Sequence, residues 1–380
     1  MLACLPRARA GIVLLAAILA ALALALVGTA GSVATAQAQA GAAWQATTPI
    51  TEAVTSPSTI KFGNRVYRLG GYSFDMSTFT LNISTKVEWA DVANDGSVGA
   101  WHTTTPFNVS RLGQTAVRHG NYVYVIGGGD GENFSDDVEY ARVGTDGNIT
   151  SAGWVESPYP THEKRAAATS NVAVINGVPY LYVVGGAGMD AAGNYIHFNT
   201  TEYAQIHADG SLGPWTMSPS KFNRPRSSQV TAIVGGCLYM IGGWGDLIHD
   251  IYDDVQYSCL NSDGSLGPWS TSPNKMSTVR YWPGAVVDDN PDGSADLIVL
   301  GGNRGDGTYL NQVEKTTLNP GGTPGNTPWT VAPQSSWLPA GTWGQSAQLM
   351  RGNVYVVGGV LRDQTYLDDV IHAPIGSLFP

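Results

Sequence analysis

Short apolar runs of strand type recur along the chain, and six of them run straight into a glycine pair. The pairs begin at Gly70, Gly127, Gly185, Gly242, Gly301 and Gly358, so the steps are 57, 58, 57, 59 and 57 residues. No helical periodicity lies between them. A period this regular, built of strands, marks a radial repeat. Each unit is a small sheet that cannot bury both faces alone, so the copies must pack on one another. In the second repeat, Gln114–Arg118 reads as a first strand and His119-Gly-Asn121 as a tight turn. Tyr122–Ile126 is then the strand entering the glycines, Val138–Val143 alternates as a third strand, and a fourth opens at Trp154. Asp-Gly pairs at 95, 146, 209 and 263 sit between alternating runs, where a hairpin needs positive φ. Repeat five carries Pro320-Gly321-Gly322 instead. Tryptophans 44, 101, 154, 215, 269 and 329 hold one equivalent position and read as packing between repeats.

The ends predict how the ring closes. Trp44–Ile50 matches Trp101–Phe107 but precedes the first complete repeat, so it is a fourth strand without its own sheet. Val370–Ile375 is a third strand followed only by a truncated Gly376–Leu378. The N-terminal strand is therefore expected to complete the last blade, leaving no open edge. The fold class is all-β: a six-bladed propeller of four-stranded antiparallel blades, filling residues 41–380 as one domain.

With those features in place the chain resembles the kelch-repeat β-propellers. The matching residues are a glycine pair, an aromatic residue and a tryptophan within one repeat: Gly127-Gly128, Tyr140, Trp154; Gly185-Gly186, Tyr203, Trp215; Gly242-Gly243, Tyr257, Trp269. Repeat one has Gly70-Gly71, Trp89, Trp101, and repeat five Gly301-Gly302, Lys315, Trp329. The resemblance covers residues 44–376. The aromatic residue and the tryptophan stand farther apart here than in most kelch repeats, which implies a longer third-to-fourth-strand hairpin. The resemblance is specific for fold and nearly silent on function.

Charge and cysteine content narrow the setting. Arg7 and Arg9, the unbroken apolar stretch 12–27 and overlapping A-x-A sites at 34–40 read as a secretory signal peptide over residues 1–40, in an Ala/Leu-rich bacterial style. An uncleaved membrane anchor is the alternative. The net charge is −10; the leader holds two arginines and no acid, so the remainder carries −12. Such a chain has no general attraction to nucleic acid or to an anionic membrane. The expectation is a secreted or extracytoplasmic monomer. Cys237 and Cys259 flank one glycine pair. If their strands are antiparallel neighbours, Ile241 faces Val255, Tyr239 faces Tyr257 and Cys237 faces Cys259, which permits a disulfide in an exported protein. Two buried free thiols are the alternative.

Candidate chemistry belongs on the rim shared by the loops after the glycine pairs and the loops before each first strand. The first set is acidic (Asp130, Asp136, Asp137; Asp246, Asp250, Asp254; Asp363, Asp368, Asp369) without calcium-loop spacing. The histidines show no metal-ligand spacing, and no metal or cofactor is expected. In the second set, about eight residues before the first-to-second-strand turn, stand Arg111, Arg226 and Arg280; Arg165 lies nearby, displaced by two or three positions, and repeats one and six lack the arginine. Clustered at a funnel mouth, these guanidinium groups would suit a carboxylate or another anion. The competing reading is structural pairing with neighbouring carboxylates. His162 and Glu163 share a rim loop with Arg165 and are the candidates for acid/base chemistry. Two functions follow. One is a non-catalytic module binding a glycan or protein through its rim loops. The other, carried over from six-bladed kelch relatives, is a sialic-acid-type mutarotase or epimerase using an arginine-lined funnel. The copper radical oxidase chemistry of a seven-bladed relative does not fit these cysteines and histidines.

Overall fold

The computed structural model describes residues 43–245, 250–320 and 324–380. The leader expected over 1–40, Asp246, and the turn glycines Gly321 and Gly322 lie outside the described residues.

Six four-stranded antiparallel sheets radiate as blades. Blade 1 is Ser58–Phe62, Arg65–Leu69, Val87–Asp91 and His102–Thr104. Blade 2 is Thr115–His119, Tyr122–Ile126, Val138–Val143 and Ile149–Glu156. Blade 3 is Thr169–Ile175, Val178–Val184, Thr201–Gln205 and Thr216–Met217. Blade 4 is Val230–Val234, Cys237–Ile241, Val255–Cys259 and Ser270–Thr271. Blade 5 is Gly284–Asp289, Ala295–Leu300, Val313–Leu318 and Thr330–Val331. Blade 6 is Ser346–Met350, Asn353–Val357 and Val370–Pro374, with Gln45–Thr47 from the other end of the chain as its outer strand. There Gln45 faces His372 and Thr47 faces Val370.

Each second strand is covered on both faces by the neighbouring blades, which is why these strands read as unbroken apolar runs. One hydrophobic cluster fills each junction; Tyr67, Trp89, Val123 and Trp154 share one, and Val66, Ala90, Tyr355 and Val357 another. Polar tethers fix the angle between blades. The tyrosine three residues before a glycine pair donates its buried hydroxyl to the next blade's third-to-fourth-strand hairpin: Tyr67 to Gly147 O (2.6 Å), Tyr124 to Gly210 O (2.8 Å), Tyr182 to Gly264 O (2.7 Å). Tyr355 of blade 6 does the same to Gly96 O of blade 1 at 2.7 Å. Burial pushes the Tyr67 and Tyr355 hydroxyls up to about 12, so they remain donors at any physiological pH. The repeated tryptophans tie back the other way: Trp154 Nε1 donates to Thr105 O and Trp215 Nε1 to Tyr159 O.

The glycine pairs do two jobs. Both members have positive φ, near 60° and near 100°. The first also has no room for a side chain, since a Cβ on Gly127 would collide with the Arg165 carbonyl oxygen. The second donates its N–H to the adjacent blade: Gly128 to Arg165 O, Gly186 to Arg226 O and Gly243 to Arg280 O, at 2.8–3.0 Å. Cys237 faces Cys259 in the register of blade 4, and a disulfide joins them.

Candidate functional site: the glycine-pair face

In every blade the residue four positions before the first strand occupies one structural slot: Val54, Arg111, Arg165, Arg226, Arg280 and Thr342. Arg165 is in register with the others after all. Its apparent displacement arises because the first strand of blade 3 runs for seven residues instead of five, which moves the turn rather than the arginine.

None of the four arginines faces a funnel. Arg111 and Arg165 are 1% exposed, and Arg226 and Arg280 are fully buried. Each guanidinium donates to the carbonyl of the first glycine of its own blade: Arg111 to Gly127 O (3.2 Å), Arg165 to Gly185 O (2.7 Å), Arg226 to Gly242 O (2.9 Å), Arg280 to Gly301 O (2.9 Å). Each then meets a carboxylate from the third strand or its approach. Arg111 pairs with Glu139 at 2.7 Å, Arg165 with Glu202 at 2.5 Å, Arg280 with Glu314 at 2.5 Å, and Arg226 holds both oxygens of Asp254 at 2.7 and 3.1 Å. Burial works against the Asp254 carboxylate, but the hydrogen bonds and charge of Arg226 outweigh it and hold its pKa below the usual value. Buried charges persist only when paired in this way. The expected arginine-lined mouth is thus corrected to a set of internal clamps on the glycine pairs. Blade 1 buries a guanidinium beside the third-strand glutamate by another route: Arg68, fully buried in the second strand, reaches Glu88 (3.8 Å) and Glu52 (2.9 Å). The partner glutamates were the signal missed in the sequence. They stand directly before the third-strand aromatic residue, in Val87-Glu-Trp, Val138-Glu-Tyr and Thr201-Glu-Tyr.

What lies around the central axis is aromatic. Two positions after the clamp slot, Ser56, Gly113, Ala167, Ser228, Trp282 and Gly344 all adopt left-handed backbone, with φ from 49° to 66°. Their amides run around the axis: Ser228 N to Ala167 O (2.8 Å), Trp282 N to Ser228 O (2.9 Å), Gly344 N to Trp282 O (3.0 Å), Ser56 N to Gly344 O (2.5 Å). Small residues suit that conformation and a tryptophan does not. Trp282 nevertheless sits there at φ 49°. Its indole stacks on Trp343 (4.9 Å between centroids, 22° between planes) and meets Tyr281 at 5.7 Å, which in turn meets Trp244 at 5.7 Å. Trp244, Trp282 and Trp343, with Tyr72, Phe134 and Tyr195, line a small depression of about 40 Å³.

A family model described as Kelch motif matches residues 110–140, the stretch that carries Arg111, the Gly127-Gly128 pair and Glu139. Six blades repeat that arrangement around one axis. The motif match and the six-bladed structure together support a kelch-repeat propeller family. No curated protein matches the sequence significantly.

In this propeller His162 and Glu163 line a cleft of about 420 Å³ between the rim loops of blades 2 and 3, with Glu132, Lys164, Asp190 and Phe198. Both are tied to the Arg165 clamp. His162 Nδ1 lies 2.7 Å from Glu202 Oε2, and Glu163 bonds Arg165 and Thr200 Oγ1. The acidic rim loops mostly serve their own turns and neighbours. Asp130 accepts from the Glu132 and Asn133 amides, Asp250 from the Tyr252 hydroxyl, and Asp253 pairs with Lys275. Among the described residues no group of three or more His, Cys, Asp or Glu side chains is arranged to hold a metal ion.

Proposed function

We propose that this propeller is an exported, non-catalytic binding module whose glycine-pair face takes a glycan or a protein segment against the Trp282 platform. The observation that carries the reading is Trp282 itself. A bulky side chain held in left-handed backbone costs about 1–3 kcal/mol, and such strain clusters where a side chain is needed for recognition. Ala167 occupies the equivalent corner of blade 3 at φ 54°, so the fold does not require an indole there. The depression is too small to enclose a small molecule, whose pockets run to roughly 300–1,000 Å³. It suits a flat ring laid across it, either a pyranose or an aromatic anchor from a protein partner. The mutarotase reading loses support, because its anion clamp is spent on internal carboxylates and Glu163 is spent on Arg165.

The test is Trp282→Ala, screened beside the parent on a glycan array and by pull-down with defined protein ligands. Binding should fall about tenfold or more with the thermal midpoint unchanged or raised, an anchor residue being worth ~2 kcal/mol or more. Undiminished binding by the variant would remove the platform from the function.

A further inference from the structure

The clamp slot is filled from within the chain in blades 1 to 5 and left open in blade 6. Where four blades have arginine, blade 6 has Thr342, and where blade 1 sends in Arg68 from the second strand, blade 6 has Val356. The carboxylate side of the slot survives. Asp369 accepts the amide of Gly358 through its backbone carbonyl, just as Asp254 accepts that of Gly242. It is therefore the counterpart of the residue that grips Arg226 with both oxygens. No ion pair engages Asp369 among the described residues, and burial together with the charge of Asp368 raises its pKa above the usual value. The third-strand position that holds a buried glutamate in blades 1, 2, 3 and 5 is the half-buried Ile371 here.

A cavity opens where the guanidinium would be. It measures about 160 Å³ and is lined by Leu338, Thr342, Val356, Gly358, Asp369 and Ile371, among others. A space of about 150 Å³ holds a benzene ring, so a guanidinium group and part of its stem fit. Thr342 is 7% exposed, lines this cavity, and its Oγ1 has no hydrogen-bond partner. A buried hydroxyl left without a partner is rare and costly. Apolar walls, the exposed Asp369 carboxylate at the open end, an idle hydroxyl and the first-glycine carbonyl resemble the surroundings of Arg226, with Leu367 where the Tyr252 ring packs on that guanidinium.

We propose that the blade 6 slot binds a guanidinium group on an alkyl stem, supplied from outside the chain. The ligand is either a free alkylguanidinium compound or an arginine side chain of a protein partner. The site is separate from the Trp282 platform, so either can fail without the other. Calorimetric titration of the full chain with butylguanidinium, with butylammonium and with a blocked five-residue peptide carrying one central arginine tests it. The expected result is saturable one-to-one binding of at least one guanidinium probe, weaker or absent with butylammonium, whose charge has no planar fork. Asp369→Asn should weaken it about tenfold to a hundredfold. Thr342→Arg, which refills the slot from inside, should abolish it and raise the thermal midpoint. Trp282→Ala should leave it intact. A peptide that binds more tightly than butylguanidinium points to a protein source, and equal affinity to a free compound. Failure of both guanidinium probes to bind, or binding that survives both Asp369→Asn and Thr342→Arg, would overturn the proposal.

Discussion

Truncating Arg111 while keeping its stem, as Arg111→Met, separates a clamp from a ligand-binding arginine. Arg111 and Glu139 are each 1% exposed and 2.7 Å apart. Losing one partner of a buried pair costs about 3–5 kcal/mol, because the remaining charge has no compensation. Here the Glu139 carboxylate keeps the Asn108 and Val109 amides at 2.7 and 3.2 Å, which places the cost towards the lower end. At about 2 °C per kcal/mol for a large domain, the midpoint should fall by roughly 6–8 °C. Glu139→Leu should cost at least as much, since it strands the guanidinium and both amides. The double variant should be less damaged than the two singles together, by ~1–3 kcal/mol of coupling. Urea and thermal unfolding of the four proteins supply the cycle. An Arg111→Met protein within about 0.5 kcal/mol of the parent, the range of an ordinary surface change, would refute the clamp.

Three further outcomes follow from the same geometry. Replacing Cys237 and Cys259 together by alanine should lower stability by about 3 kcal/mol, the loop-closure value for a link of this length, read as a midpoint shift that reductant reproduces in the parent. Tyr355→Phe should cost ~1–3 kcal/mol in urea unfolding by stranding the Gly96 carbonyl, and loss of that bond should expose the blade 6–blade 1 junction first in hydrogen exchange. His372 is buried and stacked on Tyr355 at 5.4 Å, and burial lowers its pKa from 6.5, against a raising influence of Asp95. Between the lowered native value and 6.5 the unfolded chain binds the proton more readily, so stability declines as pH falls through that window. His372→Phe should flatten the stability difference between about pH 7.5 and about pH 5.5, and an unchanged slope would assign it to other groups.

The blade number, the outer strand of blade 6 and the Cys237–Cys259 register were legible because they depend on spacing alone, and a period of 57–59 residues leaves little freedom in alignment. The role of the arginines was not legible from their own positions. Whether a guanidinium faces solvent or interior depends on what lies across the blade, and that residue, Glu139 for Arg111, is 28 positions away on another strand. The tyrosine tethers were visible as a residue three before each of five glycine pairs, yet an aromatic residue in an apolar strand looks like core until its hydroxyl finds the Gly147 or Gly210 carbonyl of the next blade. Trp282 was hidden for a different reason. Nothing in Arg280-Tyr-Trp-Pro283 announces left-handed backbone, which is imposed by the ring of amides running from Ser228 to Gly344.

That ring also explains where variation can be functional. Every blade keeps its glycine pair, and blades 2 to 5 pack an arginine behind it, so those positions are committed to assembly. The corner residues and those beside them meet only the axis, and there the blades differ sharply. Blades 2 and 3 carry Leu112, Gly113, Ala166 and Ala167 there, whereas blades 4 to 6 carry the half-buried Trp244 and Trp282 backed by the buried Tyr281 and Trp343. The tryptophans therefore form a crescent on one side of the axis, completed by Tyr72, Phe134 and Tyr195 from blades 1 to 3, beside the one blade whose clamp slot is open. If a single partner occupies both, Trp282→Ala and Asp369→Asn should weaken its binding multiplicatively while each leaves the other's small probe unaffected. A glycan that binds the crescent with full affinity in the Asp369→Asn variant, and a guanidinium that binds the slot in the Trp282→Ala variant, would instead mark two independent sites on one face.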